Sequence, residues 1–467
     1  MKKVESTIAT LLLLLMIGLL YYLSGIMPIG SGYTAKYLCS QVFIADKQPD
    51  TVFQKEIKPT HPMFLLFSFN IDRENKTVTA TGFGKWSPKT AVYREGYGCT
   101  LAVGKTAQEL KNEAAAPAQT TLLNPNLEWP LGKQVDDITY SSNANRACLD
   151  RTVEDAFRES DGHNPKNTDA VVIVHNGRIV SEKYADHVAP DTPLLGWSMS
   201  KSVTNALVGI LVRQGKLDIM EKAPVQAWQD PNDPRHDITI DQLLRMSSGL
   251  EFEENYAPFT DVTTMLYDRE SMADYAASKP LAAEPDTVFN YSSGTANIIA
   301  DIVKEKTGGT LTSHQQFAQQ ELFQRIMVHS AILEPDASGT FVGSSYMFAT
   351  ARDWARIGLL YLNDGLWYGK RILPEGWVDY STTPTPQAPQ GKYGALISLN
   401  AGEDGSTQNR VFPSLPTDLF YFSGYNEQIV AVIPSEKLIV VRLGVTHDRE
   451  AWNEESFISD VVSCVNL

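Results

Sequence analysis

Cysteine and histidine are scarce in this chain of 467 residues, which has four of the first and eight of the second. The cysteines form no C-x-x-C and the histidines no H-E-x-x-H or other zinc spacing, so neither a metal nor any other cofactor is expected. Basic residues are outnumbered, with 40 Lys plus Arg against 55 Asp plus Glu. The resulting net charge of −15 repels phosphate backbones and excludes nucleic acid as a partner. Internal repeats and low-complexity tracts are missing, and a 43% hydrophobic share with 31 Gly and 25 Pro excludes collagen, coiled coil and a wholly disordered chain.

Long apolar runs are missing too, except one. After Met1-Lys2-Lys3, residues 8–27 are almost free of charge and stop at Pro28. Such a run is long enough to cross ~30 Å of hydrocarbon at 1.5 Å per residue, and the two lysines hold its start in the cytoplasm. An uncleaved anchor in the cell inner membrane, with everything after Pro28 in the periplasm, is the expectation. The alternative is secretion after signal cleavage at Gly30-Ser31-Gly32. The even cysteine count agrees with an oxidising compartment. Of the three pairings, Cys39 with Cys99 and Cys148 with Cys464 are expected, the alternative being four unpaired buried thiols.

The organisation reads as an anchor or signal (1–28), a small β-rich module (29–110), an Ala/Pro/Asn-rich linker (111–130) and one long globular domain (131–467). In the module, residues 67–71 and 77–81 alternate around a turn at 73–76 and predict a hairpin. The large domain begins with a short helix at 149–159, then two β-branched runs divided by Asn176-Gly177, the strongest short hairpin signal. A second hairpin, 428–433 and 438–442, flanks Pro434-Ser435-Glu436, and an amphipathic piece follows at 454–465. Strands at both ends and helices between predict an α/β (α+β) fold with one antiparallel sheet built from both termini. That arrangement sets the first and last helices side by side, which is the reason for pairing Cys148 with Cys464.

The chemistry concentrates in Trp197-Ser198-Met-Ser-Lys201. Val203, Leu207, Ile210 and Leu211 give the following helix one buried stripe, and Gly215 stops it. Residues three apart share a helix face, so the Lys201 amine can reach the Ser198 hydroxyl. A serine hydroxyl becomes a useful nucleophile when a neighbouring base takes its proton, and a desolvated lysine is such a base. Tyr291, in Phe289-Asn-Tyr-Ser-Ser293, is the candidate to pass the proton on. The nucleophile elbow G-x-S-x-G is missed at Ser200, which disfavours an α/β-hydrolase.

Four motifs in order, Trp197-Ser-Met-Ser-Lys201-Ser, Leu243-Leu-Arg-Met-Ser-Ser-Gly249-Leu, Phe289-Asn-Tyr-Ser-Ser293 and Ala349-Thr-Ala-Arg-Asp353-Trp-Ala-Arg-Ile-Gly358, resemble the serine hydrolases of the β-lactamase and penicillin-binding-protein superfamily. The resemblance covers about residues 150–445 and is to the class C-like branch with 6-aminohexanoate-dimer hydrolase and several esterases. It implies a β-lactamase/transpeptidase-like antiparallel sheet flanked by helices with a helical subdomain. It implies Ser198 as the acylated nucleophile, Lys201 as proton acceptor and Tyr291 as shuttle, acting on a small-molecule amide or ester. The loop Glu253-Glu-Asn-Tyr256 is similar to one whose tyrosine closes over substrate in nylon-oligomer hydrolases, which implies a contact for Tyr256. The family's cleft-lining strand triad is matched by Phe422-Ser423-Gly424, and the amide of Tyr425 would join that of Ser198 in an oxyanion hole. This triad lacks the family's cation, which counts against β-lactam and D-Ala-D-Ala substrates. The rival expectations are a peptidoglycan carboxypeptidase or β-lactamase, and a catalytically silent envelope scaffold.

Overall fold

The apolar N-terminal run is the first half of a single helix, α1 (Lys2–Phe43), in the computed structural model, which describes residues 2–113, 123–135, 143–159, 164–403, 406 and 408–467. Helix α1 does not stop at Pro28 as the sequence suggested, and residues 29–43, expected in the β-rich module, are helical. An interior proline costs roughly 3 kcal/mol of helix stability. Burial offsets that cost: Met27, Ala35, Leu38 and Cys39 are wholly inaccessible to solvent, whereas the apolar side chains from Ile8 to Tyr22 are exposed. Small residues make the close approach possible. A Cβ on Gly30 would lie 2.3 Å from the Phe67 ring, and one on Gly32 would lie 2.5 Å from the Tyr267 carbonyl oxygen.

The buried half of α1 packs on a four-stranded antiparallel sheet, β1 (Phe67–Asp72), β2 (Thr77–Gly82), β3 (Trp86–Arg94) and β4 (Gly98–Leu101). The predicted hairpin is β1 and β2, with Ile71 opposite Val78. The Cys39–Cys99 disulfide ties α1 to β4. Polar staples join the helix and β4 to the large body: Lys36 Nζ of α1 donates to Glu334 at 2.6 Å, and the Cys99 amide of β4 donates to the same carboxylate at 2.6 Å. Apolar side chains from α1, this sheet and the large body form one continuous cluster. Of the expected linker, residues 114–122 lie outside the described ones, while Asn124–Glu128 pairs with Gly132–Gln134.

The large body is built on a six-stranded antiparallel sheet in the order Ser398–Leu399, Phe420–Gly424, Gln428–Ile433, Leu438–Gly444, Thr168–His175, Arg178–Tyr184. Strands from both ends of the domain therefore meet in the middle, as expected. Both hairpins form, and Asn176 and Gly177 take φ of 52° and 75°, the left-handed pair that a tight hairpin needs. Side chains alternate across the sheet. Val172, Val174, Val430 and Val441 face the main core with the helix Ala351–Leu362, while Val171, Ile173, Ile429 and Val440 face the other cluster. On that second face the helices Asn143–Phe157 and Glu454–Val465 lie together, joined by the Cys148–Cys464 disulfide.

Candidate active site

The helix Ser200–Arg213 carries the candidate chemistry. It is buried all round from Ser200 to Leu211 rather than along one stripe, because the helix Ser293–Lys306, the turn Ala318–Phe323, Trp377, Ser381 and Ala395 pack around it. It ends as predicted, with Gly215 at φ 66°. A 3-10 turn, Trp197–Met199, precedes it, so Ser198 sits at the junction of two helical forms. Trp197 itself takes φ 49°, left-handed backbone that a bulky residue rarely adopts. Strain of this kind persists only where the surroundings enforce it. Tyr37 of α1 stacks on the Trp197 ring at 5.9 Å and Tyr425 meets it edge-on at 5.6 Å.

Lys201 is 2% exposed, and its Nζ lies 3.1 Å from Ser198 Oγ, 3.1 Å from Ser293 Oγ and 3.0 Å from the Ser344 carbonyl oxygen. The carbonyl can only accept, so one N–H must point at Ser344. With a second donated to Ser293, the third tetrahedral position faces Ser198. There the ammonium places its last proton and the neutral amine its lone pair. Nζ also stands 4.7 Å from the centroid of the Tyr291 ring, so the tyrosine is brought to the lysine by its face.

Two contributors escaped the sequence analysis. Ser293 donates from Oγ to Glu254 Oε1 at 2.5 Å, and its amide donates to Oε2 at 2.7 Å. A chain of polar contacts thus runs Ser198, Lys201, Ser293, Glu254. Burial pushes the Glu254 carboxyl above the usual range, against the opposing pull of Lys201 and the Ser293 hydrogen bonds. Both residues lie inside motifs quoted above, but nothing local distinguishes Glu254 from Glu253. Fold geometry decides which of the two turns inward.

The remaining expected residues converge on the same place. Gly424 passes so close to the turn before Ser198 that a Cβ on it would stand 2.2 Å from the Gly196 carbonyl oxygen. Only glycine lets that strand lie alongside. Ser423 is exposed at the strand's end, and Tyr256 stacks on Tyr425 at 5.6 Å, giving an aromatic wall of Tyr256, Tyr425 and Trp197. Among the described residues, no three of His, Cys, Asp or Glu cluster so as to hold a metal ion.

A family model for beta-lactamase matches residues 153–450. The chain belongs to the beta-lactamase family. Within that family it is similar to the 6-aminohexanoate-dimer hydrolase of Paenarthrobacter ureafaciens, 28% identical over 229 residues, which are 45% of this chain and 56% of the relative. The match thus spans little more than half the length of that relative. Solved structures share the family fold. A Bacillus anthracis protein provisionally named a 6-aminohexanoate-dimer hydrolase superposes with TM-score 0.54 at 20% identity, over 74% of this chain and 89% of its own. A family VIII carboxylesterase superposes with TM-score 0.53 at 15% identity, over 72% of this chain and 99% of its own.

Proposed function

We propose that this family member is a serine hydrolase that cleaves an amide or ester through an acyl-enzyme on Ser198. One observation carries the reading: a lysine amine, buried and fixed by Ser344 and Ser293, stands 3.1 Å from the Ser198 hydroxyl. Ser198 Oγ attacks the substrate carbonyl carbon while its proton passes to Lys201 Nζ, forming the Oγ–C bond. The carbonyl oxygen becomes an oxyanion facing the Ser198 amide and the strand end beyond Gly424. The bond to the leaving nitrogen or oxygen then breaks, and that atom takes a proton from the Lys201 side, with the Tyr291 hydroxyl as shuttle. Water attacks the acyl carbon, gives its proton back along the same path, and Ser198 leaves with a proton restored. The hydrolase and esterase names of the relatives support an amide or ester substrate.

We also place the enzyme at a membrane through α1, with the body outside the cytoplasm. Support comes from the exposed apolar run, from the two disulfides, and from the burial of the cleavage-like Gly30-Ser31-Gly32 inside a continuous helix. The test is intact mass after incubation with a fluorophosphonate, a panel of p-nitrophenyl esters, linear amides and a penicillin. Wild type is expected to gain one adduct on Ser198, and Ser198→Ala none, with hydrolysis lowered by about 10⁴ or more. Labelling that survives Ser198→Ala overturns the reading. A stable penicillin adduct would assign a peptidoglycan or β-lactam substrate despite the absent cation in Phe422-Ser-Gly424.

A further inference from the structure

Beside Trp197 lies a second feature that hydrolysis of a small polar amide does not need. A cavity of about 110 Å³ is bounded on one side by Ile26, Ile29 and Tyr33 of α1 and on the other by Trp197, Tyr256 and Tyr425. Its wall contains no Asp, Glu, Lys or Arg. Two of its boundaries are chain neighbours of the candidate machinery, Trp197 before Ser198 and Tyr425 after Gly424. A carbonyl held at Ser198 would therefore project its acyl substituent along this wall.

The far wall is part of the helix that carries the exposed apolar run. From Tyr22, still exposed, to Ile26 on the cavity wall is one helical turn, about 6 Å. Where α1 leaves the body, it is ringed by apolar side chains left in solvent: Leu65 is 70% exposed, Phe83 52% and Phe259 47%. The Phe259 ring packs on Tyr22 at 5.4 Å, a Cβ on Gly82, next to Phe83, would meet Met27 of α1 at 2.4 Å, and the Phe83 amide bonds the Leu66 carbonyl, so these residues stand beside α1 near its exit. Exposed apolar side chains grouped in this way mark a surface that meets a partner or a membrane. An apolar surface that fits is a bilayer crossed by α1, and the cavity borders the same helix at Ile26 and Ile29, just past its exposed run.

We infer that the cavity between α1 and the aromatic wall is an acyl-chain site, and that the substrate is an amphiphilic ester or amide whose hydrocarbon chain enters from the membrane. This rests on the hydrolase reading above and narrows its substrate class. The full-length protein in detergent, given p-nitrophenyl acetate, butyrate, hexanoate and octanoate, is expected to show kcat/KM rising with chain length, by up to about fourfold per buried methylene. Ile29→Trp fills the cavity and is expected to cut the octanoate-to-acetate ratio at least tenfold. Met63→Trp fills it from a different element, should one variant not fold. For the membrane source, Leu65→Ser with Phe83→Ser is expected to slow a palmitate ester carried in phosphatidylcholine vesicles at least fivefold more than it slows the soluble butyrate ester. A flat chain-length series on an active enzyme, or an octanoate-to-acetate ratio untouched by both tryptophans, overturns the acyl site while the hydrolase stands. Equal slowing of vesicle-borne and soluble esters overturns the membrane source. Failure of every ester, with no adduct on Ser198, overturns the hydrolase and the acyl site together.

Discussion

At the scale of single residues, the polar chain ending in Glu254 has the sharpest consequence. For Lys201 to take the Ser198 proton, it must be able to release one of its own, and Ser293 links it to a carboxylate held by two hydrogen bonds. Glu254 can play that part only while ionised. Its carboxyl is raised by burial, so activity is expected to fall on acidification at a pH above the ordinary Glu range of about 4.3. The pH profile of kcat/KM checks this, and Glu254→Gln is expected to abolish that acid limb and lower kcat by roughly 10²-fold. A limb that persists in the variant assigns the titration elsewhere. Tyr291, far along the chain from Ser198 and Lys201, was named from its motif and the family resemblance, whereas the Ser198–Lys201 contact was legible because its spacing is local. Ser293 and Glu254 were not, since their contact spans 39 positions of sequence.

At the scale of elements, the helix Ala351–Leu362 shows how the body holds its sheet. Thr350 caps it, and Asp353 receives the amides of His329 and Ser330, the Ser330 hydroxyl and the Arg356 guanidinium at 2.7 Å. Arg356 in turn donates to the Pro130 and Gly132 carbonyls, fastening the chain ahead of the body to this helix. Burial opposes the charge on Asp353, but His329, Arg356 and Ser330 outweigh it and hold the carboxyl well below the usual range. A depressed carboxyl contributes stability above its unfolded pKa of about 3.9 and loses it as the pH falls below that value. Asp353→Ala strands a buried guanidinium and is expected to cost about 3–5 kcal/mol at neutral pH, with a flatter dependence of melting temperature on pH below 4. Thermal melts across pH 2–7 measure both effects. The predicted hairpins and terminal helices appeared as expected because turn chemistry and alternation act over a few residues. The all-round burial of Ser200–Leu211 was hidden, since its polar positions, Ser202, Thr204 and Asn205, find partners only in the folded body.

At the scale of the whole molecule, α1 is two things in one helix. Its first half presents apolar side chains outward, and its second half is core. A chain beginning at Leu23 is expected to be more soluble and to melt within a few degrees of the full protein, because burial begins at Ile26. A chain beginning at Lys47 is expected not to fold. It loses Tyr33, Tyr37, Leu38 and their neighbours, each worth about 1.5–3 kcal/mol when buried, against a total stability of about 5–15 kcal/mol. Circular dichroism and melting of the two shortened chains separate the cases.

Local patterns in the sequence were enough to determine the hairpins, the Ser-x-x-Lys pair on one helical face and the apolar run. They carry those features because each is a matter of neighbours within about four positions or of simple alternation. Tertiary structure alone decided that α1 continues through Pro28 into the core, that Glu254 rather than Glu253 faces Lys201 through Ser293, and that an apolar cavity joins the helix to the wall beside Ser198. Each of these depends on surfaces brought together from distant parts of the chain. A proline's local cost, or the identity of one carboxylate among two, has no sign until the packing that opposes or recruits it exists.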